Sequence, residues 1–138
     1  MPDNATATNA IFDAWERRDF EAIVKKLADD VCVNAPGGAI IRGKADVKDW
    51  YASWVTACPD SVAGARCVGT TGDRAVMEGL YTGTNTGTFG PFAPTGRAVS
   101  LPWTNVYSFD GAGRIVNVNV YYDQLTIMTQ LGHIDPPQ

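Results

Sequence analysis

The sequence predicts an α+β protein: three N-terminal helices held inside a curved, mixed or antiparallel sheet, with a short helix at the C-terminal end. Two changes of period and one turn carry this. Apolar residues recur at helical spacing through the first ~57 residues. From Ser61 onward the spacing becomes two, as in strands with one buried face. Asp110-Gly111-Ala112-Gly113 then marks a hairpin, because glycine supplies the positive φ that such a turn needs.

Each element follows in order. Ala7, Ala10, Ile11, Ala14 and Trp15 form one helical stripe ending near Arg18. Asp19 suits the N-cap of a second short helix carrying Phe20, Ile23, Val24 and Leu27 on one face. A strand at Val31-Cys32-Val33, a turn at Pro36-Gly37-Gly38 and an Ile40-Ile41 pair come next. The third helix starts after Gly43, with Val47, Trp50, Tyr51, Trp54 and Val55 on its stripe. It ends at Cys58-Pro59, since proline disfavours helix at the residue before it. Strands are expected from Val62 to Thr71, Ala75 to Thr86 and Arg97 to Phe109. In the last strand Val116, Val118, Val120 and Tyr122 alternate with Asn117, Asn119 and Tyr121. The polar row faces water or a partner subunit. Leu125 to Leu131 forms the final helix, stopped by Gly132, and residues 132–138 read as a loose tail. A long antiparallel sheet curls around its helices into a cone, whose open end is a natural small-molecule site.

The chain has 138 residues, enough for one domain over 1–138 and too few for two cores. With 45% apolar and 19% charged residues, disorder is excluded for the bulk of it. No stretch approaches the ~20 apolar residues of a membrane span, and the start MPDNATATNA lacks a secretory pattern. The net charge is −4 and basic residues never exceed a pair, so nucleic acid and anionic membranes are poor partners. Cys32, Cys58 and Cys67 read as small buried hydrophobes in a reducing, cytoplasmic setting. No metal-ligand motif and no nucleotide-binding glycine loop occurs, so neither metal nor cofactor is expected.

Three strings point further. FDAWERRDFEAIVKKLADDVCV, GTNTGTFGPFAPTGRAV and FDGAGRIVNVNVYYDQLTIMTQLG span most of the chain. On these the chain resembles the NTF2-like superfamily and, within it, the SnoaL-like polyketide cyclases. The resemblance implies a cone-shaped α+β barrel, a homodimer formed through the outer sheet face, and a cofactor-free pocket for a small hydrophobic molecule. In those cyclases the carboxylate at the end of the last strand is the general acid/base, and the matching position is Asp123. The implied chemistry is intramolecular aldol closure or isomerisation of a hydrophobic keto compound. A single carboxylate can carry both proton transfers when an apolar cavity desolvates it. Asp123 is equally well suited to capping the last helix.

Other candidates come from strand parity and aromatic content. Asn105 shares a face with Trp103, Tyr107 and Phe109. The related ketosteroid isomerases carry an oxyanion-donating acid near this position. That resemblance implies an amide that could likewise donate, the alternative being one satisfied by its neighbours. Tyr122 shares the inward parity of Val118 and Val120. Trp15, Trp50, Tyr51 and Trp54 offer an aromatic lining, or simply core. If Val76, Leu80 and Thr82 face inward, Glu78 does too, and it then needs a partner such as Arg66; a shifted register puts it in water. Ala35 stands before Pro36 where ketosteroid isomerases of the superfamily carry their catalytic aspartate, which argues against their mechanism. The remaining alternative is a non-catalytic small-molecule-binding or structural homodimer.

Overall fold

The computed structural model describes residues 3–136; Met1, Pro2, Pro137 and Gln138 lie outside it. The chain runs α1 (Asn4–Glu16), α2 (Phe20–Val24), β1 (Leu27–Ala35), β2 (Ala39–Arg42), α3 (Lys44–Ala57), β3 (Arg66–Thr71), β4 (Arg74–Thr84), β5 (Ala98–Phe109), β6 (Ile115–Tyr122) and α4 (Gln124–Gln130). The strands form one sheet in the order β2-β1-β6-β5-β4-β3. Only β1 and β6 pair in parallel; the other neighbours are antiparallel. None of the described helices is long and apolar enough to cross a membrane.

Helix starts are set by short polar side chains. Asp3 accepts from Thr6 N at 2.8 Å and Asp19 from Ala22 N at 3.2 Å, each satisfying an amide that the helix cannot. The buried stripe of α1 is Thr8, Ile11, Phe12, Ala14 and Trp15, rotated from the expected one toward Phe12. Thr8 is tolerated there because its hydroxyl donates to the Asn4 and Ala5 carbonyls. Arg18 has a φ of 62°, and its guanidinium donates to the carbonyls of Trp15, Pro59 and Ser61. It thereby ties the end of α1 to the segment that follows α3.

The strand expected from Val62 begins only at Arg66. Val62 makes a single bridge to Thr82, and the next residue is drawn into other bonds. Ala63 N donates to Glu16 and its carbonyl accepts from the Trp103 indole, so this backbone is taken out of the ladder. The β4–β5 connection is anchored by Asn85, whose buried amide bonds the carbonyls of Ala57 and Gly87 and the amide of Thr95. Gly87 is needed beside it: a Cβ there would lie 1.8 Å from Thr56 O.

The inward parity expected for β6 breaks at Val116, which is only partly buried. The register shifts between the pairs Ser108↔Asn117 and Phe109↔Ile115, so Ile115 and Val118 are both fully buried. The start of the expected loose tail is held. His133 N donates to Met128 O, and its ring packs on Phe92 with centroids 4.4 Å apart. Pro137 and Gln138 fall outside the described residues.

Candidate functional site

Helices α1 and α3 and the concave faces of β4, β5 and β6 enclose an aromatic cone. Phe12 and Trp15 come from α1, and Trp50, Tyr51 and Trp54 from α3. Tyr81, Leu101, Trp103, Asn105, Val120 and Tyr122 come from the strands, with Ala63 beside them. The cavity they leave is about 60 Å³, room for a few waters or part of one ring. A bicyclic or larger guest requires its walls to move.

The walls divide by how they are held. Deep in the cone, polar tips are tied to backbone: Trp15 Nε1 donates to Tyr51 O at 3.0 Å and Trp103 Nε1 to Ala63 O at 3.1 Å. Trp103 lies flat because the facing residue is Gly79, where a Cβ would come within 2.6 Å of its ring. Phe12 stacks on Trp103 at 4.9 Å. Nearer the outer groove, Trp50, Trp54, Phe89 and Tyr122 are packed by ring contacts, with Trp54 touching the other three.

Three polar side chains form a buried chain at the inner wall. Tyr51 and Tyr107 hydroxyls are 3.1 Å apart, and Asn105 Nδ2 donates to the Tyr107 hydroxyl at 3.3 Å. Asn105 Oδ1 is buried and has no partner among the described residues. Burial pushes Tyr51 well above the usual phenol range, and Tyr107 up to about 12. Burial also raises Tyr81 and Tyr122. All four phenols stay protonated near neutral pH, so the cone can donate hydrogen bonds but holds no base of its own. No acidic side chain lines it.

Asp123 lies outside the cone. It is the N-cap of α4: Oδ1 accepts from Leu125 N at 2.9 Å and Thr126 N at 3.3 Å, and the residue is exposed. The expectation of a desolvated carboxylate in an apolar cavity is therefore corrected. The physical reason is the end of β6: the strand stops at Tyr122, and the next residue turns out to start the helix. Asp123 borders an open groove instead, with Asn34, the Ala35–Gly38 turn, Asn119 and Tyr121. Val120 and Tyr122 line both the groove and the cone.

The other predicted residues sort as follows. Trp15, Trp50, Trp54, Trp103, Asn105, Val120 and Tyr122 line the cavity. Tyr107 and Val118 do not; both are fully buried behind its wall. Glu78 faces the opposite side of the sheet. Pairing of Met77 with Asn105 and of Tyr81 with Leu101 sets the parity of β4, so Ala75, Met77 and Tyr81 point inward. Glu78 points outward and binds Arg66 at 2.6 Å. Leu80, expected inward, is 44% exposed. Phe12, Ala63, Tyr81 and Leu101 were missed as wall residues. Phe12 lies three positions before Trp15 on one helix face, a legible signal; Tyr81 was hidden by the parity error.

The structure is a cone-shaped α+β scaffold with a small aromatic cavity. The profile of the SnoaL-like polyketide cyclase family matches residues 5–131, and the chain belongs to that family. None of the curated proteins matches the chain by sequence. Among solved structures it is similar to a protein described as a SnoaL-like polyketide cyclase from Jannaschia sp. CCS1, at 18% identity, 97% and 93% coverage of the two chains and a TM-score of 0.86. It is similar to IdmH, described as a polyketide cyclase from Streptomyces antibioticus, at 23% identity, 95% and 99% coverage and a TM-score of 0.79. TerC, co-crystallised with polyporic acid, matches at 20% identity, 93% and 97% coverage and a TM-score of 0.73. At these identities the structures establish the shared fold.

Proposed function

We propose that this protein is a cofactor-independent acid/base enzyme that takes a hydrophobic keto compound into the aromatic cone and promotes ring closure or isomerisation. The observation that carries it is the shared wall: Val120 and Tyr122 border both the cone and the groove that holds Asp123. A ligand whose flat part enters the cone leaves its other end against the carboxylate. Only one Asp123 oxygen caps α4, and Oδ2 is available to take an acidic C–H proton. The enolate so formed attacks a ketone of the same molecule, and the returned proton quenches the alkoxide. Because Asp123 is exposed in the free protein, the bound ligand itself has to displace water from the groove. Confinement of a flexible chain lowers the entropic part of the barrier. Family membership and the co-crystallisation of TerC with polyporic acid support a small-molecule guest.

The test is deuterium uptake by 2-tetralone in heavy water, which reads the proton abstraction common to both reactions. The wild type is expected to exceed buffer, and Asp123→Asn to fall to the buffer rate. Asparagine caps helices about as well as aspartate, so the melting temperature stays nearly unchanged. Uptake at the buffer rate in the wild type rejects the catalytic reading, and full activity in Asp123→Asn removes that residue from it.

A second reading is a non-catalytic binding protein, favoured by one observation: Asp123 is already occupied as a cap and no acid lines the cone. In either reading we infer a homodimer through the outer sheet face, where Leu80 and Tyr121 stand 44% and 57% exposed. Three unpaired cysteines suit a reducing compartment such as the cytoplasm.

A further inference from the structure

The inner wall of the cone holds a polar atom that the chain itself leaves unsatisfied. Asn105 is 4% exposed, and its Oδ1 has no hydrogen-bond partner among the described residues. A buried carbonyl without a partner is costly, and folded proteins rarely keep one without a use. Ser61 Oγ, Thr129 Oγ1 and His133 Nε2 are also unpartnered, but none of those residues lines the cavity. Asn105 does.

The structure turns Nδ2 of the amide toward Tyr107 and leaves Oδ1 without a partner among the described residues. Nδ2 is engaged by the Tyr107 hydroxyl at 3.3 Å, and Tyr107 lies 3.1 Å from Tyr51. With both phenols protonated, Tyr107 can give its proton to Tyr51 while accepting from the amide. The carbonyl end is then the part of Asn105 left for a guest, which reverses the donor role expected from the sequence.

We propose that Asn105 Oδ1 is a specificity-determining acceptor, selecting flat hydrophobic ligands that present a hydroxyl or N–H at the end entering the cone first. This rests on the reading of the cone as a ligand site and names the substrate class more closely: phenols and enols rather than ethers, esters or plain arenes. A site with a buried, otherwise unpaired polar atom rejects analogues that lack the matching group, because they leave that atom unpaired in the complex. For a keto compound, the same acceptor favours the enol O–H over the ketone.

The experiment is calorimetric titration of the whole chain with p-cresol, 4-methylanisole and p-xylene, three guests of similar shape. The first offers a donor, the second only an acceptor, the third neither. The wild type is expected to bind p-cresol at least about tenfold more tightly than the other two. Asn105→Leu, with Asn105→Ala as a second variant should the first not fold, is expected to bring all three within about threefold. Equal binding of p-cresol and 4-methylanisole by the wild type overturns the proposal while leaving the ligand-site reading intact. Retention of the full preference in a folded variant overturns it as well. Failure of all three guests to bind removes the ligand-site reading and this proposal with it.

Discussion

The Trp54 indole meets the Tyr122 ring edge-on, centroids 5.3 Å apart and planes at 87°. Trp54 also contacts Trp50, Tyr81 and Phe89, so one side chain joins α3, β4, β6 and the β4–β5 connection around the cavity. Edge-to-face pairs of this kind are held by ring contacts alone, each worth about 0.5–1.5 kcal/mol beyond area burial. If the cone takes a ligand as proposed, this ring cluster is the wall expected to limit its size.

Trp54→Ala is therefore expected to enlarge the cone from its loosely held side. A partly buried tryptophan lost from a cluster costs about 2–3 kcal/mol, read as a lower urea midpoint. The affinity for 2-naphthol relative to p-cresol should rise by about tenfold, because the second ring gains apolar contact. An unchanged size preference would show that Trp54 does not limit the cavity.

The buried phenols give the protein an alkaline limit. Tyr107 is fully buried, with its ionisation moved from the usual 10 up to about 12. In the unfolded chain it loses its proton near pH ~10, while the native state keeps it, so the native state binds more protons between the two values. Its stabilising contribution is thus complete below pH ~10 and is lost as pH rises toward 12. Two units correspond to about 2–3 kcal/mol. Stability measured against pH should fall steeply above pH ~10 in the wild type and less steeply in Tyr107→Phe. Equal slopes in the two proteins would contradict this assignment.

Glu78 tests the parity of β4. Its side chain is 42% exposed and that of its partner Arg66 is 75% exposed. An ion pair so wet contributes little, so Glu78→Gln should change stability by less than about 0.5 kcal/mol. Binding of p-cresol should be unaltered, since the side chain lies across the sheet from the cone. A large loss of affinity would place Glu78 on the concave side after all.

Much of this architecture is written in local chemistry. Helical spacing located α1 and α3, Asp19 and Gly132 marked a start and a stop, and the glycine hairpin joined β5 to β6. The strings around Asp123 pointed to the SnoaL-like family, to which the chain belongs. Each of these signals acts between residues a few positions apart, where side-chain size, turn preference and capping suffice. The inside and outside of β4 were decided otherwise. Val76 and Leu80 are more apolar than Ala75 and Gly79, yet pairing with β5 turns the smaller residues inward, where Trp103 needs the space above Gly79. Asn105 could be seen to share a face with Tyr107, but only the fold brings Tyr51 from α3 to complete the chain and leave one oxygen without a partner. Likewise only the end of β6 determines that Asp123 turns into the groove rather than the cone. Register and long-range packing join groups far apart in the chain, and no periodicity within a segment encodes which of its faces the rest of the molecule will cover.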